Sequence, residues 1–297
     1  MFTVAVTGES GAGKSTLTRI WGDLGANVFD LDALAKKQWS RPETAEKVIG
    51  RWGAGMYKNG SPDTPDFKKI SDMVFSSDEN YSFATGVTHP GAIAGITKEV
   101  HNLGGWIVME IPLLFEVGWF DLIDCVICVT STADLRIERN AARGWDEEEI
   151  ARRERFLIGS HKKQTMSDMV LCNIGSMEAW EARARELGDL MRRMATVQEI
   201  GTFCNSREEA GRIAGLLVEN RLAAAVNIME AGCVYRWKER VSEGTEWHLR
   251  CLTIERNLRR AMETIRQNHS YEQPLVTGRE VLRSDFLTLK WVVESCS

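Results

Sequence analysis

The 297-residue sequence holds no apolar run approaching the ~20 residues that a membrane-spanning helix requires. Its opening FTVAV leads straight into a glycine-rich turn, without the basic region and cleavage site of a secretory leader. No membrane partner is expected, and the cytoplasm is the expected compartment. Proline is scarce, at 6 residues, while 43% of the chain is hydrophobic and 27% charged, which excludes collagen-like, low-complexity and wholly disordered classes. Neither sign of charge dominates. With 37 basic against 42 acidic residues the net charge is −5, so nothing in the whole-chain balance favours nucleic acid, and any phosphate binding must be local. The seven cysteines are odd in number and scattered through a chain too large to need disulfide staples, so free thiols are expected. Cys125 and Cys128 have CxxC spacing but lie inside CVICV, where a strand sends them to opposite faces, and a structural role is expected for both.

The length suits about two domains. In the first part, apolar runs at Phe2 to Val6, Asn27 to Phe29, Trp106 to Met109, Cys125 to Val129 and Met169 to Cys172 alternate with segments of helical pattern, beginning with a helix from Lys14 to about Leu24. Strands alternating with helices predict an α/β parallel sheet covered on both faces. Asp134 to Lys163 carries Arg136, Arg139, Arg143, Arg152, Arg153 and Arg155 among acidic residues, and reads as one long helical region. It is either a solvated hairpin or a lid whose arginines close over phosphates. A single amphipathic helix is predicted from Met177 to Met194, with a domain boundary at about Ala195. Beyond it the pattern changes. A strand at Thr196 to Phe203, a helix at Ser206 to Asn220, strands at Ala223 to Met229, Val234 to Trp237 and Trp247 to Thr253, a helix at Glu255 to Asn268, then a short strand and a terminal helix give the β-α-β-β-α-β order of a ferredoxin-like α+β domain. Domains of 1–195 and 196–297 are therefore expected.

Gly8-Glu9-Ser10-Gly11-Ala12-Gly13-Lys14-Ser15 matches GxxxxGK[ST] in full, between a predicted strand and a predicted helix. Glycines let the loop wrap so that successive backbone N–H groups face phosphate oxygens, and the helix N-terminus adds its positive end. In such a loop Lys14 reaches the β- and γ-phosphates and the Ser15 hydroxyl, followed by Thr16, ligates Mg2+. ATP is thus an expected co-substrate. The second strand ends in Asp30-Leu31-Asp32, two carboxylates at the sheet edge where open α/β folds bind ligands. One of them can cap the following helix while the other orients or deprotonates an acceptor hydroxyl. Glu110 closes the third strand and is either a magnesium-holding acid or an ordinary surface one.

Further motifs narrow the reading. The GKST loop is followed by LGANVFDLDALA, by VFSSDEN leading to Thr88-His89-Pro90, by IPLLFE at Ile111 to Glu116, by RNAARGW, and by Ser167-Asp168 with Asn173-Ile174-Gly175. The first 195 residues so resemble the dephospho-CoA kinase family of P-loop kinases with a helical lid. The resemblance implies transfer of the ATP γ-phosphate to the ribose 3′-hydroxyl of dephospho-coenzyme A with Mg2+. It implies Asp32 as catalytic base with Asp30 beside it, His89, Pro112, Leu113 and Glu116 in the acceptor pocket, and Arg139 and Arg143 as lid arginines on the transferring group. Asn173 and Gly175 would lie on the loop that packs against adenine. The chain departs from the family pattern at Pro65-Asp66-Phe67, where an arginine is usual and only Lys68 supplies charge, at Glu110, where aspartate is usual, and near Arg136, where a common lid glutamine is replaced.

Ser206 to Trp291 resembles the CutA divalent-cation-tolerance family, through SREEAGRIAGLLVENRLAAAVNI, Tyr235-Arg236-Trp237-Lys238 and IRQNHSYEQP. That resemblance implies a ferredoxin-like module assembling a homotrimer through residues 196–297. The family's usual cysteine is Ala225 here and its usual lysine is Leu252, so a soft-metal site is not expected. His269 alone reads more readily as a satisfied structural residue than as a ligand. Two rivals accompany the kinase reading: a P-loop kinase for another nucleotide-like acceptor, which Phe67 would favour, and an ATP-sensing trimeric regulator.

Overall fold

A computed structural model describes residues 1–237, 239–281 and 284–297. The chain divides into two compact units, Thr3–Glu186 and Met1–Phe2 with Leu187–Ser297. The division falls inside the helix Met177–Met194, before its end.

From Phe2 to Met194 the chain runs β1 (Phe2–Gly8), α1 (Lys14–Asp23), β2 (Asn27–Asp30), α2 (Leu31–Gln38), α3 (Pro42–Trp52), α4 (Phe67–Val74), α5 (Asp78–Val100), β3 (Trp106–Glu110), α6 (Leu114–Val117), β4 (Cys125–Thr130), α7 (Ala133–Ala141), α8 (Glu147–Glu154), α9 (Ser160–Thr165), β5 (Met169–Cys172) and α10 (Met177–Met194). The strands form one sheet in the order β2-β3-β1-β4-β5, and every described register in it is parallel. β1 lies at its centre and is buried at all seven positions, which is why its sequence is a continuous apolar run rather than an alternation. α1 buries Leu17, Ile20 and Trp21 at helical spacing. Trp21 packs 5.5 Å from Trp106, and its indole N–H donates to the Ala184 carbonyl at 2.8 Å, which satisfies the one polar atom of a fully buried ring.

The sheet and α10 lie where the sequence pattern placed them, with four strands running one or two residues further at their carboxyl ends. The helical region Asp134 to Lys163 is divided into three short helices, α7, α8 and α9, with a turn at Gly144, φ 74°, between the first two and Gly159 capping the third. Cys125 and Cys128 are both buried in β4. Burial holds the Cys125 thiol far above its ordinary value and pushes that of Cys128 up to about 11, so neither is a reactive thiolate near neutral pH.

The second unit continues with β6 (Val197–Cys204), α11 (Arg207–Glu219), β7 (Ala225–Trp237), β8 (Arg240–Ile254), α12 (Glu255–Gln267), β9 (Val276–Glu280) and α13 (Phe286–Ser295). Its sheet has the antiparallel order β7-β8-β6-β9, the arrangement of a ferredoxin-like α+β domain. Two predicted strands, Ala223 to Met229 and Val234 to Trp237, are one. Pairing runs unbroken through Ala231↔Glu246, Gly232↔Thr245 and Cys233↔Gly244, so the small residues that looked like a break sit within the ladder. Ile200, Ile213, Leu217, Leu249, Ala261 and Ile265 form the core between the sheet and the helices α11 and α12. Lys238 of the Tyr235 to Lys238 motif lies outside the described residues.

Candidate functional site

The loop between β1 and α1 carries three glycines in the left-handed region, Gly8 at φ 131°, Gly11 at 75° and Gly13 at 106°. Space as well as conformation demands them. A Cβ on Gly8 would lie 2.0 Å from the Val129 carbonyl oxygen, one on Gly11 2.7 Å from Asn140 Nδ2, and one on Gly13 2.4 Å from Asn173 Nδ2. Gly8→Ala is expected to destabilise the protein by at least about 2 kcal/mol, measured by urea unfolding, since strain and a backbone clash add. An unchanged unfolding midpoint would contradict this loop geometry. Gly13 caps α1 without a side-chain acceptor, so the first-turn N–H groups have no side-chain competitor for an anion.

Around this loop the expected residues gather. Lys14 is buried, and its Nζ donates to the Glu9 carbonyl at 3.0 Å. Burial pulls its ammonium below the usual lysine range, against the attraction of Glu110 and Asp32. Ser15 Oγ donates to Glu110 Oε1 at 2.9 Å, and Thr18 Oγ1 to Glu110 Oε2 at 3.1 Å, so Glu110 is a buried acid turned toward the loop rather than a surface one. Thr16 is half-buried in the first turn of α1, and Ala12 is buried within the loop.

The two aspartates divide their work. Asp30 caps α2, accepting from the Ala33 N–H at 3.0 Å. Asp32, in the first turn of that helix, is exposed. Partial desolvation of its carboxyl raises it above the usual range, Lys14 opposes the rise, and Asp30 and Glu110 add to it. Among the described residues the Asp32 carboxyl makes no hydrogen bond or ion pair, whereas Asp30 is held as the cap.

α7 presents a row of side chains to the loop. Arg139 Nη1 donates to the Gly11 carbonyl at 3.2 Å and to Ser131 Oγ at 3.1 Å, and Arg143 Nη1 to Ser10 Oγ at 3.2 Å. Asn173 Nδ2 donates to the Ala12 carbonyl at 2.9 Å, and Gly175 is exposed two residues on. The sequence reading named Arg136 only among the six arginines of the region and as a departure from the family pattern, and did not single out Asn140. Buried Arg136 pairs with Glu9 at 2.9 Å and with Glu154, and its Nε donates to the Ser10 carbonyl at 3.0 Å, while Asn140 Oδ1 accepts from Ser10 Oγ at 2.9 Å. Their i, i+3, i+4, i+7 spacing with Arg139 and Arg143 was the available signal.

A cavity of about 540 Å³ opens between α5 and the segment around α6, lined by Tyr81, His89, Ile93, Leu113, Glu116 and Val117 among others. Two buried polar atoms on this wall, Tyr81 OH and Glu116 Oε2, have no partner among the described residues. Burial pulls the His89 imidazole below its usual range, so it is neutral near pH 7. Burial, with the charges of Glu116 and Asp32, raises the Tyr81 phenol above its usual range. Glu116 Oε1 accepts from the Ile158 N–H at 2.8 Å and pairs with buried Lys163 at 2.9 Å, a lysine the sequence reading also missed. Pro112 is not on the cavity wall. Its carbonyl turns inward and accepts from Thr7 Oγ1 and Lys163 Nζ. Phe67 is 47% exposed and likewise off the wall, and Asp66 is the cap of α4.

In the second unit, Ala225 opens β7 and Leu252 faces it across the ladder, neither with a donor atom. The His269 ring is fully used: Nδ1 accepts from the Tyr271 N–H at 3.1 Å, which leaves the proton on Nε2 to donate to the Phe203 carbonyl at 2.9 Å. Among the described residues no three His, Cys, Asp or Glu side chains cluster as metal ligands, and no helix is long and apolar enough to cross a membrane.

A central parallel strand, a glycine loop on its carboxyl end, a buried lysine opening the next helix and an arginine-bearing lid define a P-loop phosphotransferase. Residues 2–179 match the family model of dephospho-CoA kinase, and residues 200–295 that of the CutA1 divalent ion tolerance protein. The dephospho-CoA kinase of Deinococcus radiodurans is 32% identical over 185 residues, covering 61% of this chain and 87% of that protein. That of Carboxydothermus hydrogenoformans is 31% identical over 182 residues, 59% of this chain and 87% of the relative. A Thermus thermophilus protein of solved structure superposes with a TM-score of 0.52 at 30% identity, covering 63% of this chain and 97% of the other. The chain belongs to the dephospho-CoA kinase family and carries a CutA1 domain at its carboxyl end.

Proposed function

We propose that residues 1–195 transfer the γ-phosphoryl group of ATP to the ribose 3′-hydroxyl of dephospho-coenzyme A, and that residues 196–297 assemble three such chains. The observation that carries the reaction is the largely apolar cavity with two buried polar atoms unpartnered among the described residues, Tyr81 OH and Glu116 Oε2, whose Glu116 pairs with Lys163, the lysine that shares the Pro112 carbonyl with Thr7 of the strand leading into the phosphate-binding loop. Such a wall suits an acceptor that offers both apolar surface and hydrogen-bonding groups.

Lys14, the loop N–H groups, Arg139 and Arg143 hold the triphosphate and stabilise charge on the moving phosphoryl group. Asp32 takes the proton of the acceptor hydroxyl as its oxygen bonds to phosphorus and the bond to the ADP oxygen breaks. Ser15 Oγ and Glu110, 2.9 Å apart, are hard oxygen donors of the kind Mg2+ requires, and the chemistry of this pair fits the ion. When bound, Mg2+ neutralises charge on the triphosphate oxygens. Asn173, which donates to the Ala12 carbonyl, and Gly175 are assigned to the loop that packs against adenine. The reaction takes place in the cytoplasm, in keeping with seven free cysteines.

The test is ADP release by the full chain with ATP and Mg2+, with and without dephospho-CoA. Acceptor-dependent release is expected. Release stimulated only by other nucleotides would favour a different acceptor, and nucleotide binding without release would favour a sensor. For assembly, Val234, Tyr235 and Val241 on the β7–β8 hairpin and Leu287 and Trp291 on α13 are exposed apolar side chains that partner chains would cover. Sedimentation equilibrium is expected to give three times the chain mass, and a monomer at micromolar concentration would overturn the assembly.

A further inference from the structure

Glu154 and Phe156 stand two residues apart at the end of α8, and they touch the two substrate regions. Glu154 pairs with Arg136, which grips the phosphate loop through Glu9 at 2.9 Å and the Ser10 carbonyl at 3.0 Å. Phe156 stacks on Tyr81, with ring centroids 5.1 Å apart and planes at 17°, and Tyr81 is a wall of the acceptor cavity. The next residues hold a second wall, since the Ile158 N–H and Lys163 both engage Glu116 Oε1 and leave its Oε2 unpartnered. A short continuous path therefore runs from the acceptor cavity to the phosphate loop through one turn of the lid.

We propose that Phe156 is a positioning residue that couples acceptor binding to nucleotide binding. It touches neither substrate site's reacting atoms. It fixes Tyr81, and its place in the chain fixes Glu154 against Arg136. A ligand that hydrogen-bonds Tyr81 OH and Glu116 Oε2 holds these groups in the arrangement that also grips the loop, so each substrate favours the state the other prefers. By linkage the effect is reciprocal. The proposal rests on the acceptor reading above.

Binding of dephospho-CoA to the full chain, by calorimetry with and without a non-hydrolysable ATP analogue and Mg2+, tests it. The wild type is expected to bind dephospho-CoA about tenfold more tightly with the analogue present. In Phe156→Ala that ratio is expected to fall to about one while affinity for the analogue alone is kept, because Arg136 still holds the loop. Phe156→Tyr, which keeps the stack, is expected to restore the ratio. Phe156→Leu, which keeps apolar volume without the stack, should lose it and serves if the alanine variant is unstable. A wild-type ratio of one, or an unchanged ratio in both Phe156→Ala and Phe156→Leu, overturns the coupling and leaves the acceptor reading standing. Failure of the wild type to bind dephospho-CoA under either condition overturns the acceptor reading and the coupling together.

Discussion

Lys14→Ala is expected to lower kcat/KM by about a thousandfold or more while leaving the fold intact. Removing one preorganised charge from the developing transition state costs on the order of 10²–10³ in rate, and loss of its hold on the ground-state phosphates adds to that. The fold survives because Lys14 contributes little to it: its hydrogen bond among the described residues is to one backbone carbonyl, and no carboxylate pairs with it there. Burial already disfavours the ammonium, as its lowered pKa shows, and a bound triphosphate is the partner that would repay it. Coupled-assay kinetics and thermal unfolding on the same sample check both halves. Activity within tenfold of wild type would show that the lysine does not meet the phosphates.

Asp32→Asn is expected to reduce kcat by about 10²–10⁴-fold, the usual contribution of a positioned base. Its pH dependence makes the result specific. The carboxyl is raised above the ordinary aspartate range, and it must be ionised to accept a proton, so wild-type kcat falls as pH is lowered through that raised value. The variant has no such group, and its residual rate should lack the acid limb. Stability moves the opposite way. A carboxyl whose pKa is higher folded than unfolded supports the fold below its unfolded value and loses that support as pH rises through the folded one, so at pH 7 the charge costs stability. The variant should therefore unfold at the wild-type temperature or above it. If Asp30→Asn abolished the limb and Asp32→Asn did not, the two roles would have to be exchanged, against the capping bond from Ala33 to Asp30.

The phosphate loop was legible because its chemistry is local: eight consecutive residues, each glycine answering to a backbone angle, between a strand and a helix that composition alone marks out. The helix Met177–Met194 and the strand Met169–Cys172 were legible for the same reason. The division of the lid was not, because its charge pattern fits a two-helix hairpin as well as three short helices, and the breaks fall at Gly144 and before Ser160. The long strand β7 was hidden by Ala231 and Gly232, which weaken a strand on their own and are carried by the partner strand once it pairs.

The sequence by itself determined the kinase class, the nucleotide, the aspartate pair and the presence of a second α+β module, since these rest on residue types at fixed short spacings. Only the tertiary structure decided which aspartate caps a helix, that Glu110 turns inward to Ser15 and Thr18, that Arg136 and Asn140 meet the phosphate loop and that Lys163 holds Glu116. The physical reason is separation along the chain. Arg136 meets Glu9 across 127 residues and Glu110 meets Ser15 across 95, so their hydrogen bonds exist only after the sheet has brought distant strand ends to one edge.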